Sequence, residues 1–118
     1  MREAVGWGRL DENTAAVGLA NALFSVCLLH QDEVIGWGRV IGDAGIYFYL
    51  QDIIVLPAFQ GKGLGKRIMT AIMAYIEAHA HPGAFIGLMA AKGVEDFYTQ
   101  FGFSVRLPER PGMFRIRG

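Results

Sequence analysis

Three features of the residue order predict an α/β fold of the α+β kind, with a mixed central β-sheet flanked by helices. Three runs rich in apolar, β-branched and aromatic residues, 25–29, 34–41 and 46–56, are separated by the turn sequences His30-Gln31-Asp32-Glu33 and Gly42-Asp43-Ala44-Gly45. Two segments of helical periodicity, 63–80 and 92–101, come after them, with a short apolar run between the two. A glycine-rich stretch, Gln60-Gly61-Lys62-Gly63-Leu64-Gly65-Lys66, joins the third run to the first of these helices.

The chain has 118 residues, which suits a single domain spanning 1–118 with a modest core. Hydrophobic residues make up 53% and charged residues 19%, the balance of a folded globular protein. Formal net charge is zero, which argues against a general electrostatic grip on nucleic acid or an anionic membrane. The single cysteine, Cys27, excludes an internal disulfide, points to a reducing compartment and reads as a small core residue. Gln51-Asp52 and Glu77 interrupt the longest apolar runs, so no membrane span is expected. The start shows no basic region leading into an apolar one, so no signal peptide is expected and the chain reads as cytoplasmic. No C-x-x-C or H-E-x-x-H spacing occurs, and no metal is expected.

Along the chain, Asp11 to Thr14 supplies N-cap chemistry for a helix of about three turns ending at Phe24, with Val17, Ala20, Leu23 and Phe24 on its apolar face. Strands follow at 25–29 and 34–41. Gly36 and Gly38 loosen the second, leaving room for a close approach or a bulge. Residues 46–56 read as a central strand closed by Pro57 and interrupted by Gln51 and Asp52. In the helix at 63–80, Ile68, Met69, Ile72, Met73 and Ile76 share one face, away from Lys66, Arg67, Thr70 and Glu77. A short strand at 85–90 is apolar enough to be covered on both faces. The helix at 92–101 carries Val94, Phe97, Tyr98 and Phe101 on one stripe, and Gly102 stands at its left-handed cap. Strands at 103–107 and around Phe114 and Ile116 complete the order α-β-β-β-α-β-α-β-β. His79 and His81 lie where a cation meets the helix C-terminus, so capping is their expected role.

The glycine stretch has the properties of an anion site. Alternate glycines give backbone N–H groups free approach to a ligand, and a helix N-terminus with unpaired donors follows at once. Lys62 and Lys66 add positive charge. A Walker A loop ending on Gly65-Lys66 would need glycine at Gln60 and a hydroxyl at Arg67, and a dinucleotide fingerprint would need glycine at Lys66. Neither pattern fits.

The pattern that fits is Q/R-x-x-G-x-G/A preceded by V-x-P, at Val55 to Gly65. It resembles the acetyl-CoA pyrophosphate loop of the GNAT N-acetyltransferase superfamily. The segment Phe97 to Phe103, F-Y-T-Q-F-G-F, is similar to the F-Y-x-x-x-G-F that closes the fourth helix of that family. The resemblance covers 11–117 and implies a GNAT fold lacking, or truncated at, its first strand. Many members carry Asn about seven residues before the helix tyrosine; here that position is Ala91, so one CoA contact has no counterpart. The short N-terminus and the apolar composition suggest a homodimer.

The resemblance implies an acetyl-CoA-dependent N-acetyltransferase acting on a primary amine of a small molecule, by direct attack in a ternary complex. Gln60, Gly61, Lys62, Gly63, Leu64, Gly65 and Lys66 would bind the pyrophosphate, and Ile53, Ile54 and Val55 would pair with the pantetheine arm at a splayed strand edge. The Val55 N–H would face the developing oxyanion, and Tyr98 would be the general acid. Asp52 is open to three readings: a base, an anchor for the substrate amine, or a structural partner of Arg39. Tyr47, Tyr49, Trp37 and Arg106 read either as acceptor-pocket residues or as core. A non-catalytic acyl-CoA-binding module on the same fold is the alternative, and a structural α/β domain with an ordinary glycine turn is a third reading.

Overall fold

A meander of three antiparallel strands frames the molecule: β1 (Phe24–His30), β2 (Glu33–Gly42) and β3 (Tyr47–Val55). The computed structural model describes residues 20–91, 93–105 and 111–117. After a single 3-10 turn at Pro57–Phe59, the helix α1 (Leu64–His79) crosses back over the sheet. It leads to β4 (Phe85–Gly87), which pairs parallel to β3, and then to the short helix α2 (Glu95–Thr99). The sheet order is β1-β2-β3-β4, mixed as expected.

Local chemistry sets the two hairpins. Gln31 and Asp32 both take positive φ, 50° and 65°, as a two-residue turn between right-twisted strands requires. Between β2 and β3, Asp43 Oδ1 accepts from the N–H groups of Gly45, Ile46 and Tyr47 at 2.9, 3.0 and 3.0 Å. These bonds, that from Tyr47 foremost, hold the Asp43 carboxyl below its ordinary value.

The stripe expected on α1 is the core. Ile68, Met69, Ile72 and Ile76 are buried against Val40, Phe48 and Leu50, each contributing about 1.5–3 kcal/mol by leaving water. Gly38 makes this contact possible, because a Cβ there would sit 2.7 Å from Ile68 Cγ2. At the far end, His79 stacks on Tyr75 at 4.3 Å and its Nδ1 lies 2.8 Å from the Tyr75 carbonyl one turn back, so its side chain folds along the helix end where a capping role was expected.

Several expectations change. The helix at 11–24 lies mostly outside the described residues, but Phe24 opens β1, and the Leu23 N–H already donates to the Val40 carbonyl. His30 closes β1, and its ring lies 5.2 Å from that of Phe59. Cys27 is exposed: alternation along β1 sends Val26 and Leu28 toward the core and Cys27 outward. The strand at 85–90 ends at Gly87, where the chain leaves the β3 ladder. The helix expected from 92 begins only at Glu95, since Gly93 takes φ +86° just before it. Gly102 has φ +90° behind that helix, as a left-handed cap should. Residues 103–105 form no strand, and residues 106–110 lie outside the described ones. Phe114 and Ile116 also join no ladder; they are 75% and 81% exposed.

Candidate active site

The site is created by a fault in β3. Trp37 faces Ile54 and Arg39 faces Gln51, so Asp52 and Ile53 together stand opposite the single residue Gly38. This is a β-bulge, and Asp52 carries its strain at φ 57°, a conformation costing about 1–3 kcal/mol for a non-glycine residue. Asp52 is only 4% exposed, and its Oδ2 accepts from Arg39 Nε at 3.0 Å. The pairing with Arg39 joins the bulge to β2, which is the structural one of the three readings of Asp52. Arg39 in turn lies 5.8 Å over the Trp37 ring.

Beyond the bulge, β3 and β4 part. Their last paired residues are Tyr49 and Gly87, yet β3 runs on to Val55. The splaying expected from the resemblance is therefore present. It opens a cleft of about 910 Å³, walled by β3 from Tyr49 to Val55, by the glycine loop, and by Leu88, Phe97 and Tyr98 on the other side.

Backbone direction decides what this edge offers. The Leu56 N–H donates to the Ile35 carbonyl across the sheet at 2.8 Å. Successive residues of a strand present their backbone groups to opposite sides, so the N–H of Val55 faces away from β2, into the cleft. The Val55 carbonyl accepts from Gln60 Nε2 at 2.8 Å, so this edge presents a donor with its neighbouring acceptor already satisfied. The Gln60 side chain thus ties the loop to the strand end.

In the loop, Gly61 and Gly63 take φ 79° and 77°, and a Cβ at either would meet nothing within 4 Å. Their need is conformational: left-handed backbone turns the chain into α1, of which Gly63 is the N-cap. Gly65 serves differently, since a Cβ there would come 3.4 Å from the Phe97 ring. No side chain caps the N-terminus of α1 and no acidic residue stands in its first turn, so the positive end of the helix is uncompensated. Lys66 lines the cleft. Lys62 instead places its Nζ 5.6 Å over the Phe59 ring.

Tyr98, on α2, lines both this cleft and a second cavity of about 970 Å³ bounded by β4 and residues 101–105. Its ring meets Phe97 and Phe103 edge-on at 5.1 and 6.3 Å. Burial pushes its hydroxyl above the ordinary tyrosine value, and the same cause acts on Tyr49 in the cleft wall. Tyr47 stays on the exposed side beside Phe85, and Arg106 lies outside the described residues. Among the described residues, no three His, Cys, Asp or Glu side chains cluster as metal ligands would, and no helix is long and apolar enough to cross a membrane.

Residues 20–105 match the model of the acetyltransferase (GNAT) domain. The chain belongs to the GNAT acetyltransferase family. One GNAT relative is an uncharacterized N-acetyltransferase, ycf52, of Gracilaria tenuistipitata var. liui, 28% identical over 95% of this chain and 63% of that protein. The chain spans less than two thirds of the length of the curated ycf52 relatives it matches. Among solved structures, SA2161 of meticillin-resistant Staphylococcus aureus, described as a probable acetyltransferase, is 38% identical with a TM-score of 0.93, covering 98% of this chain and 87% of that one. AAC(6')-Iy, solved in complex with the bisubstrate analogue CoA-S-monomethyl-acetylneamine, shares the fold at 19% identity and TM-score 0.68, over 100% of this chain and 88% of that one.

Among the residues that sequence reasoning missed in this GNAT cleft are Phe59, Leu88, Met89 and Gln100. Leu88 and Met89 read as strand, and the point where β4 turns away has no local signature. Phe97 was legible as an apolar stripe residue and as the first residue of the F-Y-T-Q-F-G-F segment, but not as a wall of the cleft. Its contact with Gly65 links α2 to the loop.

Proposed function

We propose that this GNAT domain is an acetyl-CoA-dependent N-acetyltransferase that moves an acetyl group to a primary amine of a small molecule by direct attack in a ternary complex. The observation that carries the reading is the cleft itself. One opening holds a free strand-edge N–H at Val55, an uncapped helix N-terminus behind left-handed glycines, and the Tyr98 side chain.

The residues present fit coenzyme A. The loop Gly61 to Lys66 offers backbone donors and one lysine to a pyrophosphate, and a Cβ at Gly61 or Gly63 would meet nothing within 4 Å. The edge of β3 at Ile53 and Val55 offers a strand-like partner to the two amides of the pantetheine arm; Ile54 faces the other way and packs into the core. An acyl group carried along that edge ends beside the Val55 N–H, a donor for the carbonyl oxygen as charge develops on it. The unprotonated amine attacks the thioester carbonyl carbon, the C–N bond forms, and the C–S bond breaks with its electron pair leaving on sulfur. The proton that the acylated nitrogen gives up balances the one that the thiolate takes to leave as the free thiol. The Tyr98 hydroxyl donates a hydrogen bond to that sulfur, and burial keeps the hydroxyl protonated well past neutral pH.

Asp52 is assigned to holding the bulge. A carboxylate buried in an ion pair is poorly placed to collect a proton from an amine in the cleft. The amine, with a reference pKa of about 10, sheds its proton to water on entering the cleft. The reading includes a cytoplasmic setting without metal, nucleic acid or membrane as partner, in keeping with the zero net charge.

Free-thiol release from acetyl-CoA, measured against a panel of primary amines, tests the proposal. Amine-dependent thiol release with an acetylated product by mass spectrometry supports it. CoA binding by calorimetry with no turnover on any amine would reduce the chain to a binding module, and absence of binding would remove the reading.

A further inference from the structure

The cleft opens on both faces of the sheet, and its two mouths differ. Val40, Phe48 and Leu50 pack on α1, so by alternation Trp37 and Arg39 of β2 and Tyr49 and Gln51 of β3 face the opposite side. The glycine loop runs into α1 and lies on its side, the side that coenzyme A takes in the proposed reaction. The other mouth has Tyr49, Gln51 and Asp52 in its wall and is left for the acceptor. Gln51 faces Arg39 across the ladder, so a guanidinium stands beside that mouth. It is held there without being used up. Its Nε donates to Asp52 Oδ2 at 3.0 Å, and the group lies 5.8 Å over the Trp37 ring. A guanidinium carries five N–H donors, and a carboxylate on one edge engages at most two of them. The Arg39 side chain is 16% exposed, and among the described residues no buried side-chain nitrogen or oxygen lacks a partner, so the donors that Asp52 leaves over open to solvent.

A guanidinium fixed along one edge by a carboxylate and on one face by an indole suits planar recognition of a second carboxylate. The ladder sets the distance at which it would be read. In the acetyl-transfer reading the Val55 N–H marks the acyl carbonyl. Gly36 faces Val55, and Arg39 stands three residues along β2 from Gly36. That separation is about 10 Å along the strand and about 4.8 Å to the side. Allowing for the reach of the arginine side chain, the two ends of the acceptor lie on the order of 7–10 Å apart, about six bonds of an extended chain. An α-amino acid, with its amine and carboxylate on one carbon, is too short. We infer that Arg39 binds a carboxylate of the acceptor, and that the acceptor is an ω-amino acid in which about five methylenes separate the amine from that carboxylate. This names the acceptor class of the proposed acetyl transfer and rests on that reading. Lys66 and the N-terminus of α1 serve the diphosphate at one mouth, and Arg39 serves the acceptor at the other.

Steady-state acetylation of ε-aminocaproate, its methyl ester, pentylamine and free glycine tests the assignment. The kcat/KM for ε-aminocaproate should exceed that for each of the other three by about tenfold or more, with the difference from pentylamine lying in KM. Arg39→Lys keeps a cation against Asp52 but loses the planar fork, and should bring ε-aminocaproate to within about twofold of pentylamine. Calorimetry of N-acetyl-ε-aminocaproate against N-acetylpentylamine, on the unaltered chain with CoA, reads the same preference without turnover and decides the matter should Arg39→Lys fail to fold. Equal kcat/KM for ε-aminocaproate and pentylamine overturns the inference and leaves acetyl transfer standing. So does a preference for glycine, or a preference for ε-aminocaproate that survives Arg39→Lys unchanged. Turnover of no amine at all removes the acetyl-transfer reading, and this inference with it.

Discussion

Asp52 combines left-handed backbone with burial against Arg39, and each property accounts for the other. A strained residue persists only where its surroundings over-determine it, and the ion pair to β2 does that here. Asp52→Ala leaves the partly buried Arg39 guanidinium without its carboxylate and should cost up to about 3 kcal/mol in urea unfolding. Replacing both residues by apolar ones of similar volume should cost less than the two single changes together, because no lone charge remains. Tyr98→Phe should lower kcat by roughly a hundredfold while calorimetry gives an unchanged CoA affinity. The same variant has a second signature. The folded-state pKa of Tyr98 lies above the unfolded value, so its contribution to stability is complete below about pH 10 and is lost as pH rises through the folded value. Alkaline unfolding curves should therefore fall less steeply in Tyr98→Phe. Asp52 and Tyr98 were both legible in the sequence, as an acid inside an apolar strand and as a motif tyrosine. What Asp52 does was not legible, since its partner stands on another strand and its φ follows from the bulge.

Between elements, the close contact is α1 on β2. Gly38→Ala drives a methyl to 2.7 Å from Ile68 Cγ2, and overpacking of that kind should cost about 1–3 kcal/mol, read from thermal or urea unfolding. Gly63→Val meets no clash, yet a β-branched residue is strained at φ 77°. It should weaken CoA binding by about tenfold or more in calorimetry, and an unaltered affinity would return the loop to an ordinary turn. Helix α1 was readable nearly to the residue, because its apolar period and its Pro82-Gly83 stop are local signals. β4 and α2 were read too long. Their ends depend on where the chain abandons a ladder at Gly87 and on the left-handed turn at Gly93, and neither alters hydrophobic periodicity.

For the molecule as a whole, ligand linkage provides the global check. Acetyl-CoA at a hundred times its dissociation constant should stabilise the folded state by about 2.7 kcal/mol, seen as a rise in Tm that Gly63→Val reduces. Absence of any rise would mean that the cleft does not take the coenzyme.

Mixed α+β architecture, the main helix and the glycine loop could all be read from residue order, since periodicity and turn chemistry act over a few neighbours. The two C-terminal segments were misread: Phe114 and Ile116 alternate as a strand should, yet they join no ladder, because alternation does not say whether an edge is there to receive a strand. The cleft belongs to the same class of facts. It exists because two residues of β3 face one of β2 and because β4 stops at Gly87, and pairing between distant segments is settled only when the whole chain packs.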